Sequence, residues 1–429
     1  MLRRTRPRRF ALWQAFLLSR TFHGLRIYAS LAGSPPERDT PGDALSKPTI
    51  LVVQDYYLPA YKGGGSLRTV ANIVDRLGND FVLDVLCRDR DQDDTEPFPD
   101  LPGGWVTQPK CRVRYLPPDQ ITPEGLRRAA SESDYSLIYF NSFFSKFTVY
   151  LLWERLRGRL PKRPVLLAPR GELAANALAL KGFKKQLFIR LAQLIGLYKG
   201  IVWHASSEAE AGEVRRYFDG TTEICADLPA GPPDPSRIPP PPPKAPGAVR
   251  FVFLSRLARK KNLSRALDLL SDAKGEIVFD IYGTAEDPEY LEECKAKMAQ
   301  LPPNVSCNYC GPIPYEQVHE TFAKYHAFLF PTLNENFGHV ILEAFLARIP
   351  AILSDQTFWR DLEQRDAGVD LPLEDDAGFR DAIRRFVEMD QETFSRLSDG
   401  ALQMAHDYLN DPEPVDTNRA LFLKCIERG

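Results

Sequence analysis

The stretch that decides the fold runs from Pro331 to Phe345 and reads PTLNENFGHVILEAF. It follows the short apolar run Ala327–Phe330, whose length and composition predict a buried β-strand. Pro331 ends that strand, the polar residues after it form a loop, and the apolar pattern from Val340 onwards predicts a helix that opens near Gly338. A loop between a strand and a helix N-terminus favours anion binding, because backbone N–H groups and the positive end of the helix dipole point at it.

Two carboxylates frame this loop. Glu335 lies in it, and Glu343 lies roughly 12 Å further along if the helical rise is counted between them. A ligand with an anionic middle and hydroxyl groups at both ends would fit that spacing, and a nucleotide-sugar is such a ligand. The alternative is an exposed Glu335 and a solvated Glu343 on an ordinary helix.

These residues also carry a family resemblance. The sequence ENFGHVILE, with seven residues between its glutamates, resembles the E-x7-E signature of the retaining, GT-B-fold glycosyltransferases of family 4 (glycosyl transferases group 1). The run IPAILSD from Ile349 to Asp355 is similar to the next strand of that family. The resemblance implies an α/β fold with two doubly wound, Rossmann-like domains facing a cleft and a C-terminal helix that crosses back to the N-terminal domain.

Length and pattern agree with two domains. A chain of 429 residues exceeds the size at which a single core usually stops growing. Strand patterns alternate with helix patterns in both halves, as doubly wound α/β domains require. We expect a basic N-terminal extension at 1–47, an acceptor-side domain at 48–228, a proline-rich linker at 229–247, a nucleotide-sugar-binding domain at 248–410 and a crossover helix at 411–429.

The extension is rich in arginine. Seven arginines precede the first acidic residue, Glu37, and the apolar run from Phe10 to Leu18 is too short to span a membrane. A disordered tail, a signal-peptide core, a transit peptide and a basic anchor on anionic lipid all remain open.

Composition excludes several classes. A net charge of −2 gives no reason to expect nucleic acid as a partner. Seven scattered cysteines indicate a reducing, cytoplasmic location, and the pair Cys307-x-x-Cys310 is expected to be structural. The D-x-D of Asp89 and Asp91 is interpreted as a solvated acidic turn, so no metal site and no cofactor are predicted.

A glycine-rich loop follows the first predicted strand, which covers 49–53. Gly63, Gly64 and Gly65 precede a helix and would let backbone approach a ligand closely. The glycines come too late after the strand for the G-x-G-x-x-G of a dinucleotide-binding loop, which argues against a dehydrogenase. The layout resembles the glycine-rich loop of family-4 enzymes, which faces the cleft.

The second domain restarts with a strand and the loop SRLARKKN, which resembles the diphosphate-binding G-R-L-x-x-x-K loop of the family. Its cations correspond to Arg256 and Lys261. The resemblance implies that Glu335, Arg256 and Lys261 are catalytic. It implies a donor site made of Gly64, Gly65, Arg256, Lys261, Gly283, Asn336, Phe337, Gly338, His339, Val340 and Glu343.

The acceptor side departs from the family. Asn141 and Arg170 stand at two strand ends where many members have a histidine, and Arg170 is expected to grip an anionic group. His204 is expected to be a packed core residue.

A later predicted helix carries basic residues beside apolar ones. The basic residues are Lys181, Lys184, Lys185 and Arg190, and the apolar residues are Leu187, Phe188, Leu191 and Leu194. That pattern fits either peripheral membrane contact or a core helix with a solvated basic side.

The resulting prediction is transfer of a hexose from a UDP- or GDP-sugar to an acceptor hydroxyl with retention of configuration, in polysaccharide or glycolipid biosynthesis. The acceptor is a glycan, a lipid-linked molecule or a small molecule. A nucleotide-sugar epimerase and a non-catalytic binding protein of the same fold are the rivals.

Overall fold

The computed structural model describes residues 47–174, 177–178, 182–231, 233–335 and 337–428. The predicted basic extension, except Lys47, therefore lies outside the described residues, as do Lys181 and Asn336. Within the described ranges, no helix is both long enough and apolar enough to span a lipid bilayer.

The N-terminal domain is built on an eight-stranded sheet in the order β3-β4-β2-β1-β5-β6-β7-β8, in which the pair β3/β4 is antiparallel and the other pairs are parallel. Its strands are β1 Thr49–Val53, β2 Val82–Arg88, β3 Trp105–Gln108, β4 Cys111–Leu116, β5 Leu137–Phe140, β6 Val165–Leu167, β7 Val202–Ala205 and β8 Thr222–Ile224. Its helices are α1 Gly64–Leu77, α2 Pro123–Ser131, α3 Lys146–Leu156, α4 Gly182–Ile195 and α5 Glu208–Tyr217.

The C-terminal domain is built on a six-stranded parallel sheet in the order β11-β10-β9-β12-β13-β14. Its strands are β9 Ala248–Leu254, β10 Glu276–Tyr282, β11 Val305–Gly311, β12 Ala327–Phe330, β13 Ala351–Ser354 and β14 Gly368–Leu371. Its helices are α6 Leu263–Leu270, α7 Pro288–Met298, α8 Val318–Phe322, α9 His339–Leu346, α10 Asp376–Glu388 and α11 Gln391–Asn410. The central strands β12 and β13 are fully buried and almost entirely apolar, as strands covered on both faces of a parallel sheet require.

The last helix, α12 (Glu413–Glu427), returns to the N-terminal domain. It packs on α1 and β5, and Phe422 is buried with its ring centroid 5.8 Å from that of Phe81 and 5.4 Å from that of Tyr139. The predicted architecture of two doubly wound domains with a C-terminal crossover is confirmed.

The proline-rich segment packs against the C-terminal domain over part of its length. Lys244 is buried, and its Nζ donates to the carbonyl oxygens of Val387 at 3.1 Å and Met389 at 2.9 Å. The extended spacer predicted for this stretch is thus anchored at its end.

Strand order fixes where ligands meet each sheet. In the C-terminal sheet the order reverses beside β9, because β10 lies on one side of it and β12 on the other; in the N-terminal sheet the same happens beside β1. Crevices at the carboxyl ends of strands at such switch points are where doubly wound sheets bind ligands. A ligand is therefore expected at the loops after β9 and β12 and at those after β1 and β5.

Candidate functional site

The loops after β9 and β12 are tied together. Leu333 donates its backbone N–H to the carbonyl of Lys260 at 2.9 Å, and Asn262 Nδ2 donates to the carbonyl of Pro331 at 2.9 Å. Thr332, which is fully buried, adds a hydroxyl bond to the Lys260 carbonyl at 3.1 Å. These bonds hold the basic loop and the glutamate loop side by side before any ligand arrives.

The predicted catalytic residues come together at this junction. Lys261 is buried, and its Nζ forms an ion pair with Glu335 Oε1. Arg256 is partly exposed and pairs through Nη1 with Glu286 Oε2 at 2.8 Å. Each cation thus already has a carboxylate partner that keeps it oriented.

Glu343 is buried rather than solvated. It is the fifth residue of α9, so it lies about one turn into the helix. The helical rise counted from Glu335 does not apply, because Glu335 lies in the loop before the helix. Burial raises the pKa of its carboxyl from 4.5 to about 7, and the nearby charge of Arg68 opposes that rise. Buried carboxylates with a strongly raised pKa are found preferentially at functional sites.

Arg68 brings the two domains together at this point. It projects from α1 of the N-terminal domain, and its guanidinium carbon lies 3.1 Å from the ring centroid of Tyr315 in the C-terminal domain. No local pattern in the sequence marks Arg68 or Tyr315 as part of a site, so neither was predicted.

The glycine-rich loop also reaches across the cleft. Gly64 has φ +67°, and a Cβ at this position would lie 2.7 Å from Arg256 Nε, closer than such atoms approach. Gly65, the next residue, has open space where its Cβ would be. Gly64 therefore lets the N-terminal domain contact the guanidinium of the C-terminal domain.

Gly64→Ala is expected to lower the affinity for a bound diphosphate about tenfold, because the new methyl group displaces Arg256 and the left-handed backbone costs roughly 1–2 kcal/mol for a residue with a Cβ. Calorimetric titration of a nucleoside diphosphate into both proteins measures the loss. Gly212→Ala is the control, because a Cβ there meets nothing within 4 Å and the residue lies in α5 outside the glycine-rich loop, and it should bind as the wild type does. Equal effects of the two changes would contradict the steric argument.

Lys260 is a third cation of the basic loop, and it is not among the residues that the family resemblance implies. It retains solvent exposure, yet the surrounding protein removes part of the hydration of its amine, and Lys261 and Arg256 add positive charge nearby. Together these effects lower the pKa of Lys260 from 10.5 to about 8. An anion placed among the three cations would favour the protonated amine and raise that pKa again.

This coupling predicts a pH dependence of binding. Below pH 8 the Lys260 amine is charged in the free protein, so an anion gains its full attraction. Above pH 8 binding must also take up a proton, and affinity for a nucleoside diphosphate should fall about tenfold between pH 7 and pH 9. Titration calorimetry at both pH values tests this, and Lys260→Arg, which stays charged, should abolish the fall. A fall of equal size in Lys260→Arg would assign it to another group.

The other predicted donor residues lie around the same junction. Gly338 caps the start of α9 with φ 77°, and His339 and Val340 are the first residues of that helix. Phe337 is buried against Trp359 and Tyr408, so its ring serves the core, and its carbonyl accepts a bond from Trp359 Nε1 at 2.9 Å. His339 is partly exposed, but desolvation lowers its pKa, and its buried Nε2 has no hydrogen-bond partner within the described ranges.

Gly283 ends β10 beside the basic loop. A Cβ there would lie 1.7 Å from the carbonyl oxygen of Ser255, so only glycine allows this approach. Glycine is therefore required next to Arg256 for backbone packing, whether or not a ligand is bound.

On the acceptor side, Asn141 and Arg170 are buried in a network. Asn141 Nδ2 donates to Gln54 Oε1 at 3.1 Å, and Arg170 Nε donates to Asn141 Oδ1 at 2.7 Å. The remaining Arg170 nitrogens bond to Tyr139 and to Asp227, with which Arg170 forms a buried ion pair. In this conformation the guanidinium is fully engaged within the protein, so a ligand anion would have to replace Asp227 before Arg170 could bind it.

His204 is a core residue, as expected. Its Nε2 lies 3.1 Å from the carbonyl of Cys225, and burial lowers its pKa to about 4.

The aspartate-rich loop contacts the segment just before the glycine-rich loop and does not form a solvated turn. Asp91 is buried and accepts the backbone N–H of Tyr61 at 2.8 Å and that of Lys62, just ahead of the glycines. The prediction of a solvated turn is therefore wrong, because the Asp91 carboxylate binds backbone N–H groups and so orients the glycine-rich loop.

Cys307 and Cys310 are both free thiols, and the described part of the chain contains no group of three or more His, Cys, Asp or Glu side chains arranged for a metal.

Comparison with solved structures identifies the architecture. The chain superposes on sucrose-phosphate synthase from Thermosynechococcus elongatus with a TM-score of 0.64 and 17% identity over 89% of this chain and 100% of the other. It superposes on Anabaena HepE in complex with UDP and glucose with a TM-score of 0.63 and 16% identity over 88% and 98% of the two chains. For WaaG, a glycosyltransferase involved in lipopolysaccharide biosynthesis, the TM-score is 0.57 and the identity 13% over 87% and 99%.

The fold is GT-B. Identities this low establish the fold and nothing further. At the level of sequence, residues 236–404 match the family model for glycosyl transferases group 1, which covers most of the C-terminal domain and both loops of the junction. No curated protein matches the sequence.

Proposed function

We propose that this GT-B protein is a glycosyltransferase that moves a hexose from a nucleoside-diphosphate sugar to an acceptor hydroxyl with retention of configuration. The observation that carries the proposal is the junction of the loops after β9 and β12. There Lys261 pairs with Glu335, and Lys260 lies near the charges of Lys261 and Arg256, at the switch point of a domain that matches the group 1 model. Glu343 is buried in α9, the helix that follows the glutamate loop. The HepE complex with UDP and glucose supports the choice of donor class.

Each residue has a distinct proposed role. Arg256 and Lys261 hold the diphosphate and stabilise the negative charge on the leaving nucleoside diphosphate. Backbone N–H groups at the start of α9 and the neighbouring glycine-rich loop cradle the phosphates and the sugar. Glu335 accepts hydroxyls of the sugar beneath the reacting carbon, and Glu343 accepts the ribose hydroxyls. The three cations supply the positive charge, so the proposed reaction needs no metal or other cofactor.

A thermal-shift panel of nucleoside diphosphates tests the donor site. One base should stabilise the wild type, since a ligand at 100 times its Kd adds roughly 2.7 kcal/mol. Arg256→Ala and Glu343→Ala should lose that shift. Arg259→Ala is the matched control, because Arg259 lies in the same loop but pairs with Glu293 at 2.7 Å. No shift with any base would contradict the proposed site.

Product analysis separates the proposal from its rivals. A transferase releases nucleoside diphosphate from the donor slowly by hydrolysis and faster with an acceptor hydroxyl present. An epimerase interconverts the sugars of intact donors, and a binding protein releases nothing. Proton NMR of the fresh product gives the anomeric configuration, and an inverted product would overturn the retaining assignment.

A further inference from the structure

Helix α4 carries an unusual charge pattern. Between Glu172 and Glu208 the chain has no acidic residue and five basic ones. The basic residues are Lys181, Lys184, Lys185, Arg190 and Lys199. Such a stretch is strongly positive in a chain whose overall net charge is only −2. Its preferred partner is therefore negative.

The same helix exposes an apolar face. Its buried residues are Ile189 and Ala192, whereas Phe183 and Leu194 are each 82% exposed and Leu187 and Leu191 about half exposed. At 100° per residue these four side chains fall within about 80° of the helix circumference. The alternative of a core helix with a solvated basic side is therefore wrong, because the predicted core face points to solvent. Contiguous exposed apolar side chains mark a contact surface.

Basic side chains flank this face. Arg190 and Lys184 are exposed on its two sides by the same helical count. Lys185 is on the opposite side, where its Nζ donates to the carbonyl of Ala177 at 2.7 Å and lies 5.1 Å from the ring centroid of Phe144. An apolar stripe bordered by cations is the pattern of a helix lying in the interface of an anionic membrane.

The face also stands near the cleft. Phe144 follows β5, and its backbone N–H, like that of Phe143, donates to Glu172 in the loop after β6. Lys185 packs on this pair of loops, so α4 begins at the carboxyl edge of the sheet, where the cleft lies. A surface bound to α4 would therefore lie beside the acceptor side of the cleft.

We propose that the face formed by Phe183, Leu187, Leu191 and Leu194, with Lys184 and Arg190, docks the protein on an anionic lipid surface. Charge complementarity decides between lipid and a second copy of this chain, because a symmetric contact would bring Lys184 and Arg190 against their own counterparts. Resting on the proposed function, the docking further implies an acceptor that is presented at the membrane.

Vesicle co-sedimentation of the full chain tests the docking. We expect binding to vesicles of phosphatidylcholine mixed with phosphatidylglycerol and much weaker binding to phosphatidylcholine alone. Leu187→Ser/Leu191→Ser should reduce binding at least about tenfold, because two leucines no longer enter the interface. Lys184→Gln/Arg190→Gln should reduce binding to the anionic vesicles while leaving the weak neutral binding unchanged.

Matched variants make the result specific. Leu423→Ser removes an exposed leucine on α12 and Lys324→Gln an exposed lysine elsewhere, and both should bind as the wild type does. All variants keep the arginine-rich extension, so any difference in vesicle binding between the α4 variants and the wild type is caused by the substitutions in α4. Wild-type failure to bind anionic vesicles, or full binding by Leu187→Ser/Leu191→Ser, would overturn the proposal. The proposal would also be overturned if the wild type forms a dimer but binds no vesicles, and if Leu187→Ser/Leu191→Ser dissociates that dimer.

The same samples separate this proposal from the donor site. Nucleoside diphosphate binding, measured without vesicles, should be unchanged in the α4 variants. Loss of nucleotide binding in the wild type would overturn the proposed function and leave the vesicle result standing.

Discussion

Lys261→Met is expected to lower kcat for glycosyl transfer roughly 10²–10³-fold, the usual effect of removing one preorganised group that stabilises developing charge. Lys261 is buried beside Glu335, where low polarity strengthens its interaction with a departing diphosphate. Methionine keeps much of the side-chain volume, so folding should persist. Initial rates at saturating donor measure the loss.

A double variant separates two explanations of that loss. If Lys261 served only to neutralise Glu335, then Glu335→Gln would restore activity in the Lys261→Met background. If Lys261 acts on the diphosphate, the double variant should be at least as slow as Lys261→Met, because Glu335→Gln also weakens the proposed contact with the sugar hydroxyls. Thermal unfolding of all three proteins checks that each one folds, and a Lys261→Met enzyme of wild-type rate would refute the proposed role.

Local sequence predicted the secondary structure around the two C-terminal loops well. A strand, a polar loop and a helix opening at His339 follow from the apolar pattern and from Pro331, and the structure has them at β12 and α9. The basic loop after β9 is equally local. Because both loops leave adjacent parallel strands, the fold itself brings Lys261 to Glu335, 74 positions apart in sequence.

Contacts between distant segments escaped prediction. The meeting of Arg68 with Tyr315 depends on how two domains close, and no periodicity encodes it. An aspartate in a polar loop is usually solvated, yet the carboxylate of Asp91 accepts the backbone N–H of Tyr61 ahead of the glycines. The sequence around Arg170 does not indicate its partner Asp227, which lies 57 residues away.

The solvent exposure of the apolar face of α4 also could not be predicted from local sequence. Leucines at helical spacing normally indicate a face that packs on the core. Only the arrangement of neighbouring elements reveals that this face has solvent beside it. Sequence therefore specified the amphipathic pattern, and tertiary structure decided which side of it is buried.

Glu343→Gln is expected to stabilise the ligand-free protein at pH 8 by roughly 3 kcal/mol while weakening nucleotide binding. Burial raises the pKa of Glu343 from 4.5 to about 7, so the folded state holds this proton more tightly than the unfolded state. The wild type therefore loses stability as the pH rises from 4.5 through 7 and stays less stable above that range. Glutamine does not titrate and escapes the loss.

Unfolding of both proteins at pH 5 and pH 8 measures the difference. Their apparent Tm values should be close at pH 5, where buried Glu343 is protonated, and should diverge at pH 8. An equal gap at both pH values would assign the effect to packing instead of ionisation. If the gap opens only at pH 8 and the same change removes the nucleotide-induced shift, Glu343 lowers stability in the empty protein and gains a favourable partner when the ribose hydroxyls donate to it.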